Sequence, residues 1–117
     1  MEQQKKIVTL NPSYDANQGI GSYPSDFPME DGYKRATGIA IVNTGAHTKF
    51  DVGVNDHNNN IKLDPTDISF WAPGQNGDQK FIPIDIPLSG NKLKVMTSVR
   101  VSEANAIGYQ VILQIEK

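Results

Sequence analysis

The chain has no cysteine, which removes disulfides, thiolate metal ligands and cysteine nucleophiles together. It also has no apolar run approaching the roughly 20 residues that span a bilayer. Its opening segment, MEQQKKIVTL, lacks the apolar core of a secretory signal. The sequence is therefore expected to be made in the cytoplasm without a leader or membrane insertion. Excess charge of either sign is missing as well: eleven Lys and Arg against thirteen Asp and Glu leave a net charge of −2. The longest basic runs are Lys5-Lys6 and Lys34-Arg35, so nucleic acid and anionic membranes are not expected partners. Helical periodicity is absent throughout.

What is present is alternation. In LKVMTSVRV, the residues Leu93, Val95, Thr97, Val99 and Val101 fall on one side, while Lys94, Met96, Ser98 and Arg100 fall on the other. In YQVILQI, Tyr109, Val111, Leu113 and Ile115 oppose Gln110, Ile112 and Gln114. A two-residue period of this length marks half-buried antiparallel strands. Phe50, Val52 and Val54 alternate with polar residues in TKFDVGVN. IKLD reads as the return of a hairpin through DHNNN, DPTD as a turn, ISFW as a short strand, and YKRATGIAIVN as a strand rich in β-branched residues. In KFIPIDIPL the residues Ile82, Ile84, Ile86 and Leu88 share a face. Pro83 and Pro87 mark that segment as an edge strand or a strongly bulged one, because proline cannot donate to a ladder.

Residues 11–32 hold Pro12, Pro24, Pro28, Gly19, Gly21 and Gly32, a composition that disfavours helix and central strand alike. The reading is an N-terminal strand and extended arm over residues 1–33, followed by a β-sandwich over residues 34–117, within a single domain overall. At 117 residues such a chain buries about two thirds of its unfolded surface in one core. About eight strands at this length predict an all-β, two-sheet antiparallel sandwich. The cysteine pair and intervening tryptophan of an immunoglobulin domain are missing, which favours a jelly roll.

No constellation reaches a catalytic signature, and no enzyme or cofactor is expected. Asp56, Asn58, Asn60, Asp64 and Asp67 fall on an EF-hand-like calcium frame, but Ile61 replaces its glycine and strands flank it. Hairpin-tip Asx side chains bonding their own backbone are the ordinary explanation. His47 and His57 sit in turns as surface histidines, without the partners that a triad or a zinc site needs. Gly19 to Gly21 is too short for a phosphate loop. Trp71 follows Phe70, so one ring belongs in the core. Trp71 with Asn58, Asn59, Gln75 and Asn76 makes a candidate glycan-binding set, because aromatic faces stack on sugars and amides bond their hydroxyls.

The arm carries spaced aromatics. Tyr14, Tyr23, Phe27 and Met29 are suited to burial against either this sandwich or a neighbour. Met96 and Ile112, apolar residues on otherwise polar strand faces, are candidates for a second buried surface. A short N-terminal strand, a Pro/Gly-rich arm and cysteine-free strands beginning near YKRATGIAIVN resemble the small single-jelly-roll virion proteins of bacteriophages, of minor capsid, penton or decoration type. That resemblance implies a structural virion protein that assembles with itself, as a trimer or pentamer, and with other capsid proteins. It supplies no motif from which a functional residue can be carried over. The alternative from the residues themselves is a carbohydrate-binding sandwich centred on Trp71.

Overall fold

The computed structural model describes residues 5–15, 17–29, 32–56, 60–72, 81–88, 92–102 and 104–117. Among the described residues nine strands form two antiparallel sheets: β1 (Lys5–Leu10), β2 (Ser13–Tyr14), β3 (Gly21–Pro28), β4 (Arg35–Asn43), β5 (Phe50–Asn55), β6 (Ile61–Asp67), β7 (Ile82–Pro87), β8 (Lys92–Val99) and β9 (Ile107–Glu116). The first sheet runs β1-β9-β4-β7, with β2 also on β9; the second runs β3-β8-β5-β6. In this order β1 pairs β9, β3 pairs β8, β4 pairs β7 and β5 pairs β6. The chain is thus one long antiparallel ribbon, with β5 and β6 as its innermost pair, rolled so that β9 meets β4 and β8 meets β5. That winding is the jelly roll.

The core lies between the sheets. Phe50, Val52, Val54, Leu93, Val95 and Thr97 from one sheet meet Ile39, Ile41, Ile86, Val111, Leu113 and Ile115 from the other, all with no exposed surface. Tyr109, also buried, shares a hydrogen bond of 2.5 Å with Thr97 between their hydroxyls, joining β9 to β8 across the core. Burial pushes the Tyr109 phenol well above its ordinary pKa.

The Pro/Gly-rich segment is not an arm. Gly21 to Pro28 pairs with β8 residue for residue, from Gly21↔Val99 to Pro28↔Lys92, so the expected boundary at residue 33 does not separate an arm from the sandwich. Its prolines are tolerated because β3 is an edge strand. β1 and β2 likewise keep one register along β9, with Pro12 between them accepting from the Tyr109 N–H at 3.2 Å. The edge strands together hold Pro12, Pro24, Pro28, Pro65, Pro83 and Pro87 at or between their ends, which removes donors from every open edge.

Three further expectations change. DPTD is not a turn: β6 runs through Pro65 to Asp67 as an edge strand with register shifts against β5. ISFW is a 3₁₀ turn, not a strand, because Asp67 caps it by accepting from the Ser69 N–H at 2.8 Å. Val101, expected on the core face of β8, is exposed because that strand ends at Val99.

Candidate functional site

Alternation leaves each sheet one face for the core, and the opposite faces are the surfaces that can meet something else. On the outer face of the first sheet, Thr9, Ile112 and Ala40 lie in one row across β1, β9 and β4, and Ile7, Gln114 and Gly38 lie in the next. Phe81, just before β7, lays its ring over Gly38 where no Cβ would fit. Ile7 and Phe81 are 58% and 44% exposed, so this face offers apolar surface to its surroundings. Gln110, Gln114 and Thr9 are its polar members, and no charge interrupts these rows.

The charges stand together at one end. Lys5 lies opposite Glu116, Glu116 opposite Arg35, and the Arg35 Nε lies 3.7 Å from the Asp85 carboxylate. Lys34, Lys62 and Lys117 surround them in a cleft of about 440 Å³ that also takes in Pro87. The Lys117 ammonium sits over the Tyr33 ring, 5.5 Å from its centroid.

The outer face of the second sheet is different. Asp26, Lys92, Lys94, Asp51, Ser22 and Ser98 surround Met96, which is half-buried between Pro24 and Gly53. Asp51 and Asp67 lie directly opposite each other, and Arg100 bridges them, its Nε 3.2 Å from Asp51 and its Nη2 on Asp67. The Ser69 N–H, followed by Arg100, holds the Asp67 carboxyl below its ordinary pKa against the opposing effect of burial.

The aromatics of residues 11–32 turn towards their own sandwich. The Tyr14 hydroxyl is 2.6 Å from the Ser25 Oγ and donates to the Tyr23 carbonyl at 3.2 Å, while the two rings lie 5.6 Å apart. The Tyr23 hydroxyl donates to the Gly19 carbonyl at 2.6 Å. Phe27 packs on the core and Met29 is buried in it. Met29 is therefore no contact for a neighbour, since the sandwich already covers it.

The calcium frame does not close. Asp56 is buried and its two oxygens accept from the Asn60 backbone and side-chain N–H groups at 2.9 and 3.2 Å. Asp67 lies at the far end of β6, about 20 Å along an extended strand, and serves Ser69 and Arg100. Asp64 is exposed between them, and Asn58 lies outside the described residues. Among the described residues no group of three acidic, histidine or cysteine side chains converges on a metal position.

The glycan set is divided in the same way. Trp71 is buried, at 2% exposure, and cannot offer a stacking face; Phe70 is the exposed neighbour. Asp56 and Asn60, which flank Asn58 and Asn59, stand at the opposite end of β6 from Trp71. Asn58, Asn59, Gln75 and Asn76 themselves lie outside the described residues, as does His57. A cleft of about 360 Å³ beside Trp71 is lined by Val42, Asn43, Thr48, Ile68, Ser69 and Ala72, with few groups able to orient a sugar.

His47 is fully buried, not a surface histidine. Its Nδ1 accepts from the Lys49 N–H at 3.1 Å, so its Nε2 carries the hydrogen and donates to the Val101 carbonyl at 3.1 Å. The ring ties the β4–β5 loop to the segment after β8, a structural duty that proximity in sequence does not reveal.

No family model matches the chain, and no curated protein matches it in sequence. Among solved structures, the chain is similar to dimeric latent PorU from Porphyromonas gingivalis, at 10% identity and a TM-score of 0.48, with all of this chain on 13% of that one. It is also similar to a protein in the structure of infectious bursal disease virus Gx strain (12%, TM-score 0.40, 99% of this chain on 32% of that one). A third is the SPBc2 prophage-derived protein YomS (14%, TM-score 0.33, 92% of this chain on 95% of that one). The neighbours thus include viral and prophage proteins, at a level of likeness that carries no functional argument.

Proposed function

We propose that the protein is a non-enzymatic structural protein of a virion, of capsid, penton or decoration type, whose product is an interface with copies of itself and with other coat proteins. The observation that carries the reading is the uncharged outer face of the first sheet. The sandwich has completed its own core, including the aromatics of residues 11–32, and still leaves Ile7, Ile112 and Phe81 gathered on one side. An apolar patch with a charged border is the composition of a contact surface. Prolines on the edge strands support the same reading, because they suppress indiscriminate strand addition while leaving a face available. The virion assignment rests on the resemblance to the single-jelly-roll phage proteins.

Sedimentation of the full chain tests the reading. Association between about 1 and about 100 μM is expected for a face of this size, and a strict monomer across that range overturns it. Truncation of residues 1–32 is unsuited to the purpose, because it removes β1, β2 and β3 from the two sheets.

A further inference from the structure

The charged row that borders the uncharged face has an order. Read across the strands it runs Lys5, Glu116 and Arg35 in register, and the Asp85 carboxylate, two residues before Pro87 on β7, closes it on Arg35: positive, negative, positive, negative. An alternating row of four is complementary to its own reversal. We propose that the outer face of the first sheet docks on the same face of a second copy, about a two-fold axis parallel to the strands. This inference rests on the assembly reading above and specifies its contact.

Such an axis reverses the order of strands and leaves each residue's level along them unchanged. Lys5 then comes level with Pro87 of the second copy, whose Asp85 lies two residues, about 7 Å, along the strand and within reach of a lysine side chain, and Glu116 faces Arg35 of the second copy. Both are attractive pairs, and each occurs twice by symmetry. A two-fold axis perpendicular to the strands within the same plane brings the row onto the opposite, uncharged end and leaves it without partners, so the charges select the first arrangement.

The rows of the face agree with that choice. Thr9 and Ile112 reverse onto the side of the face that carries the exposed Phe81 ring, which covers Gly38 of its own chain, so the apolar groups of the two copies come together. Four strands at about 4.8 Å spacing and a central strand of about 33 Å give roughly 600 Å² of planar face per copy, near the ~800 Å² per partner of a standard interface. Two sheets stacked with their strands nearly aligned also follow the ordinary geometry of sheet packing. An isologous contact of this kind yields pairs, so the oligomer has an even number of subunits in place of the three or five that the family resemblance implies.

The test exchanges charges. Arg35→Glu alone sets two acidic groups against each other across the axis, and Glu116→Arg alone sets two basic ones; each variant should sediment as a monomer at concentrations where the wild type is paired, an affinity loss of roughly tenfold or more. Mixing the two monomeric variants should restore the pair, because the arginine placed at 116 of one then meets the glutamate placed at 35 of the other on one side of the axis, and the native Glu116 and Arg35 meet on the other side. Melting curves of each variant, within a few degrees of the wild type, exclude unfolding as the cause. A wild type that associates while neither substitution weakens it overturns this contact and leaves the assembly reading standing. Single variants that dissociate without rescue on mixing also overturn the two-fold arrangement. A wild type that stays monomeric overturns both.

Discussion

The two sheets of this sandwich have the same winding, and each spends one face on the core, yet their outer faces are built oppositely. The first presents Ile7, Ile112 and Phe81 with uncharged neighbours, and gathers its charges at one end. The second scatters Asp26, Lys92, Lys94 and Asp51 over its surface, sinks Met96 between Pro24 and Gly53, and leaves Ile61 exposed at its edge, opposite Asn55. Topology demands neither pattern, since a solvated sheet face is served by any polar residue. On the assembly reading proposed above, the difference separates a face that meets water, on the second sheet, from one that meets another surface, on the first.

The largest effect should come from placing a charge in the middle of the apolar face. Ile112→Arg is expected to weaken association by about 100-fold or more, as loss of a central contact residue does, with little change in melting temperature because Ile112 lies outside the core. Met96→Arg, at the corresponding middle position of the second sheet, should leave the sedimentation profile as it was. Equal losses from the two substitutions would erase the distinction between the faces; a loss from Met96→Arg alone would invert it.

A smaller effect belongs to the hydroxyl pair that holds the two sheets in register behind those faces. Tyr109→Phe leaves the buried Thr97 hydroxyl without its partner and should cost about 1–3 kcal/mol of stability, whereas Tyr109→Phe with Thr97→Val should recover much of that, since an absent pair costs less than a broken one. Chemical denaturation of the four proteins of the cycle measures it. Additive losses would mean that the 2.5 Å contact contributes nothing beyond its separate members.

Alternation made β4, β5, β8 and β9 legible in the sequence, because their side chains are sorted by burial and little else. The segment from Gly21 to Pro28 was not, since its prolines and glycine are what a loop requires and also what an edge strand tolerates; only the pairing with β8 separates the two. Trp71 misled for a different reason. Asn58 and Asn59 are close to Trp71 in sequence, but an extended β6 separates Asp56 and Asn60, which flank them, from Trp71. Of the candidate interface residues, Ile112 could be singled out as an apolar interruption in a polar face. Ile7, Ala40 and Phe81 could not, because their membership of the same face depends on register between strands far apart in the chain.

The second sheet's charged face makes a further prediction, the smallest, through Asp67. Its carboxyl is held below the ordinary value of 3.8, first by the Ser69 N–H and then by Arg100, so the folded state favours the ionised form. A group of this kind stabilises fully above its unfolded pKa, and the contribution disappears as pH falls through the lower, folded value. Melting temperature should therefore be insensitive to Asp67 between neutral pH and about pH 5 and decline once the pH drops below 3.8. The Asp67 side chain is 42% exposed, so solvent screening keeps the effect small. Asp67→Asn isolates it: that variant should melt slightly below the wild type at pH 7 and lose less on acidification, so that the two curves converge. The Asn side chain still caps the 3₁₀ turn, so the difference reports the Asp67 charge, shared between the Ser69 N–H and Arg100. Parallel curves from pH 7 downwards would show that the ionised Asp67 contributes no stability and that Arg100 draws any ion-pair stabilisation from Asp51.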